Sequence, residues 1–551
     1  MKSRKILRKI SGQFRDFLAS DHVSFKPFTE SVRTYDLDKL KHDARAALSV
    51  TMLSVSQAIA FASIAGLPVV YGIISAAVAA IVSPFFAGSR HTMLGPTNAT
   101  AFMLFSFFAV SPGLAERGHE LMPLLVLMVG ILAAVGAIFR VADLLQYISR
   151  SVLVGYMTGA ATLIMVNQLI PLLGVSKFMA AHSSGTFAGM LHGLALAVPH
   201  TDWVSLVIGA SAVAVALLIK KFLPKWPSFV LGLLAASLVF GPLIHFSVGP
   251  FGHAATFETF GFSELMPKMP NFLRQGIFTD ISSLLGVALA IAFLASLENT
   301  LMAKSIASAT GDRADVNQDM LSVGMANIAS ALAGGMPASG SLTRSTLNLE
   351  AGARSRFASL FTGIYTTGAA ILIAASVGWG VPLISYVPKA ALAALVIMLS
   401  VSLFNIRNIR ICLNSTKDDA VVLVFTFIAT LLSPLHVAIF IGVAVSIILF
   451  LRKASRPFLA EYEFSDEGEL RAVGEKKTRP IPAISIVHVE GDLFFGAADL
   501  FRTQIQRTVS DPAIQVIILR LRNARHLDAT SVMALEDLIK FLRARGLHLL
   551  I

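Results

Sequence analysis

Apolar stretches of about twenty residues recur from about Ala44 to Leu451, each long enough to cross a bilayer as a helix. The pattern predicts fourteen spans, at 44–64, 69–88, 96–111, 120–139, 150–173, 202–222, 227–247, 281–303, 318–335, 341–352, 356–378, 384–404, 417–433 and 435–452. Two of these are too short to cross alone. The third opens Leu94-Gly95-Pro96-Thr97-Asn98-Ala99-Thr100, and the tenth opens Ala338-Ser339-Gly340-Ser341-Leu342-Thr343-Arg344. Pro84, Pro382 and Pro388 read as kinks in the second and twelfth spans. Residues 1–43 are polar and lack the apolar core of a cleavable signal. After Arg452 the chain turns charged and alternating, predicting a linker over 453–482 and a soluble domain over 483–551.

The two short segments lie seven spans apart. Gly/Pro-interrupted segments at matching positions of two halves predict a 7+7 inverted repeat, with a binding site between two half-helices. The free N–H groups of Thr97, Asn98, Ser341 and Leu342 are expected to line the gap, with Ala99 and Thr343 in the same first turns. Arg344 opens the tenth segment, where a fixed cation costs roughly 2.5–3.5 kcal/mol and by default faces a cavity. An arginine and helix N-termini aimed at one spot make an anion site.

Glu298 is the only carboxylate within Ser282–Ala303. Such a group pairs with a cation or takes a proton. It is expected either to neutralise Arg344 when the site is empty or to protonate when an anion binds, with proton coupling the favoured role. The neighbouring Arg344 argues against a sodium ion by repulsion. Gln57 and Phe61 lie one turn apart on the first span and share a face. His91 reads as a surface histidine beside Arg90, and Glu350 as facing water.

Composition sharpens this picture. The 551 residues are 55% hydrophobic and 14% charged, as in a polytopic membrane protein. The single cysteine, Cys412, excludes an intramolecular disulfide and a cysteine-based metal cluster, and no cofactor is expected. A net charge of +12 raises the idea of nucleic acid, but its distribution argues against that partner. The basic residues follow the even-numbered spans: Arg90; Arg140 and Arg150; Lys220, Lys221 and Lys225; Arg313; Arg354 and Arg356; Arg407 and Arg410; Arg452, Lys453 and Arg456. The opposite loops carry fewer. The positive-inside rule then places both the N-terminus and the C-terminal domain in the cytoplasm.

In the tail, Ile484–Val489 reads as a strand, Glu490-Gly491-Asp492 as a turn and Leu493–Gly496 as strand-like again. A helical stretch follows over Ala498–Val509, then a strand over Val516–Leu521 and a helix capped by Asp528. This order predicts a small α/β domain.

Several runs resemble the signatures of the SulP family of sulfate permeases, or solute carrier family 26. They are Gln57-Ala58-Ile59-Ala60-Phe61-Ala62 through Gly72, Gly88-Ser89-Arg90-His91 with Leu94-Gly95-Pro96, Leu297-Glu298-Asn299 with Ala303-Lys304, and Ser339-Gly340-Ser341-Leu342-Thr343-Arg344-Ser345 with Asn348 and Gly352. The tail resembles the STAS domain that ends these proteins. It carries Ala529 where antagonists of that fold carry a phosphorylated serine, and it is expected to be incomplete at Ile551. The resemblance implies a core domain of spans 1–4 and 8–11 moving against a gate of spans 5–7 and 12–14, and a homodimer. It also implies that Gln57 and Phe61 line the anion pocket.

The function expected is secondary active transport of a small anion across the inner membrane by alternating access. Sulfate, bicarbonate, chloride and dicarboxylates all suit a pocket of amides and one arginine, with proton symport (or sodium) and exchange both open. A nucleobase-type permease of the same fold would place a carboxylate where Arg344 stands. A channel, a voltage-responsive motor and a scaffold presenting the tail are the further alternatives. No nucleophile–base pair or metal-ligand cluster in the spans points to an enzyme.

Overall fold

The structure is a computed structural model. It describes residues 28–145, 148–182, 187–223, 226–270, 272, 275–454, 458–464, 470–472, 481–492, 501–503, 505–506, 511–525 and 528–551. These fall into two compact units, Met1–Val443 and Ala444–Ile551. The expectations for residues 1–27 and for the strand-like run 493–496 lie outside the described residues, and within the stretch expected as a 453–482 linker the described runs 458–464 and 470–472 are instead strands of the C-terminal sheet.

The first unit is helical, and each apolar segment corresponds to one helix. In chain order these are α1 (Leu37–Ile64), α2 (Val69–Phe86), α3 (Asn98–Val110), α4 (Gly118–Ile138), α5 (Arg150–Leu172), α6 (Trp203–Phe222) and α7 (Ser228–His245). There follow α8 (Ile277–Thr310), α9 (Val316–Ala333), α10 (Leu342–Glu350), α11 (Phe357–Gly378), α12 (Lys389–Leu403), α13 (Lys417–Leu432) and α14 (Leu435–Ala454). Among the described residues, ten helical stretches are long and apolar enough to cross a membrane. The helices α3, α9, α10 and α13 are not among them, so fourteen full crossings are not established. The helices α3 and α10 are the short pair that the breakers predicted.

The polar flanks set the ends. Asp36 accepts the N–H of Lys39 to cap α1, and Asp315 accepts that of Gln318 to cap α9. Of the three prolines read as kinks, only Pro84 lies inside a helix. Pro388 is the N-cap of α12, which therefore starts at Lys389, and Pro382 precedes a single 3-10 turn, Leu383–Tyr386. Proline is tolerated at a helix start because its missing N–H would have no partner there.

Packing displays the repeat. The helix α4 packs on α9 and α2 on α11; α4 packs on α8 and α1 on α11; α5 packs on α13 and α6 on α12. Each of these pairs maps onto the other by a shift of seven helices. The pairs that map onto themselves, α2 with α9 and α5 with α12, also pack. The contacts need small residues, since lipid supplies no hydrophobic drive between helices. At Gly324 a Cβ would stand 2.6 Å from the backbone nitrogen of Ala134, so α9 meets α4 almost backbone to backbone.

Two two-residue strands, β1 (Leu94–Gly95) and β2 (Ser339–Gly340), pair antiparallel just before α3 and α10, with Leu94 opposite Gly340 and Gly95 opposite Ser339. Their surroundings satisfy the irregular backbone, as a low-dielectric interior demands. Asn327 donates to the carbonyl of Ala338 at 2.9 Å and accepts its N–H at 2.8 Å. Ser75 and Ser330 both donate to the carbonyl of Met336. On the other strand Ser345 accepts the N–H of Met93 at 2.9 Å. Below α2, the carboxylate of Asp319 accepts the N–H groups of Gly88 and Ser89 at 2.9 and 3.0 Å.

The second unit holds a five-stranded sheet in the order β4 (Leu470–Ala472), β3 (Phe458–Phe464), β5 (Ile484–Asp492), β6 (Val516–Arg525) and β7 (His548–Leu550). The pairs β5–β6 and β6–β7 are parallel, and β3 is antiparallel to both its neighbours. Helix α15 (Ala529–Ala544) covers it, burying Leu538 and Leu542 against Val487, Val489, Ile517 and Leu519. Asp528 caps α15 by accepting the N–H of Ser531, as expected. The turn expected at 490–492 is instead the end of β5, which passes a register shift between His488 and Glu490 and continues beside β6 to Arg525. Of the helix expected over 498–509, residues 501–503 and 505–506 are described and helical.

Candidate anion site

The site forms where β1 and β2 hand over to α3 and α10. Thr97 is the N-cap of α3 and Ser341 the N-cap of α10. Thr97 and Thr100 close a reciprocal capping box, so the N–H of Thr97 already donates to Thr100 at 3.2 Å. The N–H of Ser341 donates to the carbonyl of Met93 at 3.1 Å. Both were expected to point free into the gap and both are spent on structure, because an N-cap sits outside the helix and borrows a local partner. The N–H groups left without an intrahelical partner are the next two in each helix: Asn98 and Ala99 in α3, Leu342 and Thr343 in α10.

Side chains divide the same residues. Gln57 and Phe61 on α1 are 3% and 4% exposed, and α1 packs against both half-helices. Thr97, Ala99 and Ser341 are buried and Asn98 is half-buried. Leu342 and Thr343 are exposed, so their side chains stand outside the buried cluster and only their backbone faces the α10 terminus. The buried Gln57 Oε1 has no hydrogen-bond partner among the described residues.

Arg344, at the third position of α10, is 1% exposed and does not snorkel to an interface. Its Nη2 donates to the carbonyl of Pro96 at 2.9 Å, across the repeat boundary. Its Nε and Nη1 are buried with no partner among the described residues. The guanidinium lies over Gly95, where a Cβ would come within 2.8 Å of Nη1, so glycine makes the space it occupies.

Glu298, midway along α8, accepts hydroxyls from both halves: Thr97 Oγ1 at 3.1 Å and Ser339 Oγ at 2.7 Å. The direct pair with Arg344 expected for an empty site does not form; among the described residues no contact between them falls within 4.0 Å. Their charges interact at longer range. Sequence reasoning missed Ser339 as a partner of Glu298. It also missed Tyr156 of α5, which is fully buried within electrostatic reach of Glu298. Ser339 was visible as a hydroxyl on the breaker, but nothing local ties Tyr156 to the site.

His91 proves buried at 7% exposure rather than superficial, and burial holds its imidazole below the usual histidine range. Its carbonyl accepts from Asn348 of α10 at 3.4 Å. Glu350 is exposed, as expected.

A cation buried beside opposed helix ends, in a seven-plus-seven helical repeat, narrows the family, and comparison with known proteins decides it. Residues 40–426 match the sulfate permease family, and residues 475–551 match the STAS domain. The chain belongs to the sulfate permease family. Sulfate transporter 4.1, chloroplastic, of Arabidopsis thaliana is 26% identical over 542 residues, covering 94% of this chain and 76% of that protein. High affinity sulfate transporter 2 of Stylosanthes hamata is 25% identical over 548 residues, covering 95% and 80%. The fold matches that of SLC26A9 with a TM-score of 0.81 at 18% identity, over 100% of this chain and 88% of that one. It also matches the transmembrane domain of the cyanobacterial bicarbonate transporter BicA, with a TM-score of 0.59 at 16% identity over 75% and 98%. This sulfate permease family member is therefore a multi-pass membrane transporter with a STAS domain, not an enzyme.

Proposed function

We propose that the protein carries a small oxyanion or halide through the membrane by alternating access, with the anion held between the N-termini of α3 and α10. The observation that carries this reading is Arg344: a buried guanidinium anchored at one nitrogen on Pro96, with two others unspent, beside two opposed helix ends. The named relatives transport sulfate and BicA transports bicarbonate, and either anion suits these donors.

Two packing groups support a moving core and a standing gate. The helices α1, α2, α4, α8, α9 and α11 pack among themselves, with α3 and α10 between them, and α5, α6, α7, α12 and α13 pack as a second group. The first group would be the core that carries the site. Glu298 is the proposed coupling group. It lies at the site without a cation in contact, so a proton on it offsets part of the charge the anion brings. The excess of basic residues in alternate loops supports a cytoplasmic N-terminus and STAS domain, with the protein in an inner membrane. A homodimer completes the reading, as the family resemblance implies.

The test is uptake into proteoliposomes of sulfate, bicarbonate and chloride, with and without proton or sodium gradients. Arg344→Ala should reduce uptake by about two orders of magnitude while leaving a monodisperse, helical protein, as loss of a charged anchor of a few kcal/mol implies. Uptake at the parent rate would remove Arg344 from the site.

A further inference from the structure

At the end of the bundle where α2 stops, four separate stretches of chain enclose a cavity of about 420 Å³. The charged residues lining it are Lys39, Arg90, Arg313, Arg354, Arg356 and Asp312: five cations against one carboxylate. They come from the start of α1, the α2–β1 loop, the α8–α9 loop and the α10–α11 loop, so both repeats contribute.

Part of this charge has structural work. Arg354 is paired with Asp38, and Arg356 donates to the carbonyl of Gly88 at 2.6 Å and to Ser31. The backbone below is anchored by the buried carboxylates: Asp319 holds Gly88 and Ser89, and Asp43 accepts the N–H of Arg354 at 2.7 Å. Arg90 and Arg313 are different. Both are exposed, and among the described residues neither is in an ion pair. They stand on this anchored backbone and line the cavity, whereas Lys39 is paired with Asp36 and Arg354 with Asp38.

We propose that this cleft binds a phosphorylated anion, through Arg90 and Arg313 together with the anchored arginines. Concentrated guanidinium groups repel one another unless an anion of more than one charge sits between them. Phosphate presents several acceptor oxygens, and the planar guanidinium fork matches it in two-point contacts. The cleft is a site apart from the half-helix pocket. Its other lining residues are Ser31, Thr34, Gly88, Ser89 and Ser355, none of them a large apolar side chain. The ligand chemistry could arrive as an anionic lipid headgroup or as a free phosphorylated solute, and binding would clamp the loops of both repeats to the start of α1.

The full-length protein in neutral detergent is titrated with short-chain phosphatidate, short-chain phosphatidylcholine and inorganic pyrophosphate, read by native mass spectrometry and calorimetry. Phosphatidate, pyrophosphate or both should bind one per chain, and Arg90→Gln with Arg313→Gln should weaken that binding by at least about tenfold. Arg90→Lys with Arg313→Lys should retain most of it, and a melting temperature close to the parent's in both double variants separates lost binding from lost folding. Binding of phosphatidate that pyrophosphate does not displace identifies a lipid headgroup; binding of pyrophosphate alone identifies a free solute. The proposal is overturned if neither probe binds, if phosphatidylcholine binds as well as phosphatidate, or if the glutamine variant binds as tightly as the parent.

Discussion

Thr100 and Arg344 occupy the same position, the third residue, of the two half-helices, and each reaches a proline carbonyl of the opposite repeat. Thr100 Oγ1 donates to Pro337 at a long 3.5 Å, and Arg344 Nη2 donates to Pro96 at 2.9 Å. One repeat thus spends this position on a neutral cap and the other on a cation. The fold is two-fold in its packing while its electrostatics are not, and the anion proposed to sit between the helix ends would be held from the α10 side.

Gly95→Ala tests the placement of the guanidinium. The new Cβ would fall 2.8 Å from Nη1, and the flexible arginine rather than the backbone must yield. Substrate KM should rise about tenfold, which is ~1.4 kcal/mol, with little change in melting temperature. An unaltered KM for transport would mean that the guanidinium position does not matter.

Glu298→Gln tests coupling. A glutamine carbonyl can still accept from Thr97 and Ser339, so the local structure should persist. Uptake driven by an inward proton gradient should lose its stimulation while anion exchange at equal pH continues. Stimulation equal to that of the parent sinks the proton role, and stimulation by sodium alone would point to a cation there instead.

Asn327→Ala tests the scaffold behind the site. It removes the partners of both the Ala338 N–H and the Ala338 carbonyl, which are buried. Each orphaned buried group costs about 1–3 kcal/mol. Thermal unfolding in detergent should shift down by several degrees, and the loss should exceed that of an exposed control such as Glu350→Ala.

His91 supplies a pH test outside the spans. Burial lowers its pKa, so the folded protein disfavours the charged ring that the unfolded chain accepts. The unfolded state therefore binds more protons as pH falls below about 6.5, and stability is lost over that window. The acid-side decline in melting temperature should be shallower in His91→Gln. Parallel curves for parent and variant would show that the ring titrates as freely folded as unfolded.

Much of the site was legible before the fold. Breakers at Gly95-Pro96 and Ser339-Gly340, spaced seven spans apart, are a chemical statement about where helices cannot continue in lipid, and the structure places two short helices there. Arg344 and Glu298 stood out because a charge within an apolar run has few bland explanations. His91 was misread because a histidine next to Arg90 in a polar loop looks exposed; that α10 covers it through Asn348 is a long-range fact. The prolines at 382 and 388 were misread because a proline signals an interruption without saying whether it falls within a helix or before one.

By itself the amino-acid sequence determined what depends on neighbours along the chain: which segments are apolar enough to be helices, where the backbone must break, which residues cap, and that Arg344 and Glu298 interrupt apolar runs. Tertiary structure alone decided who meets whom. The Glu298 carboxylate goes to Thr97 and Ser339 rather than to Arg344, and the guanidinium goes to Pro96, 248 residues away. The reason is physical: hydrophobic period and breaker chemistry act over one or two turns, whereas a hydrogen bond between repeats depends on how α1, α8 and the half-helices stack, which no local pattern specifies.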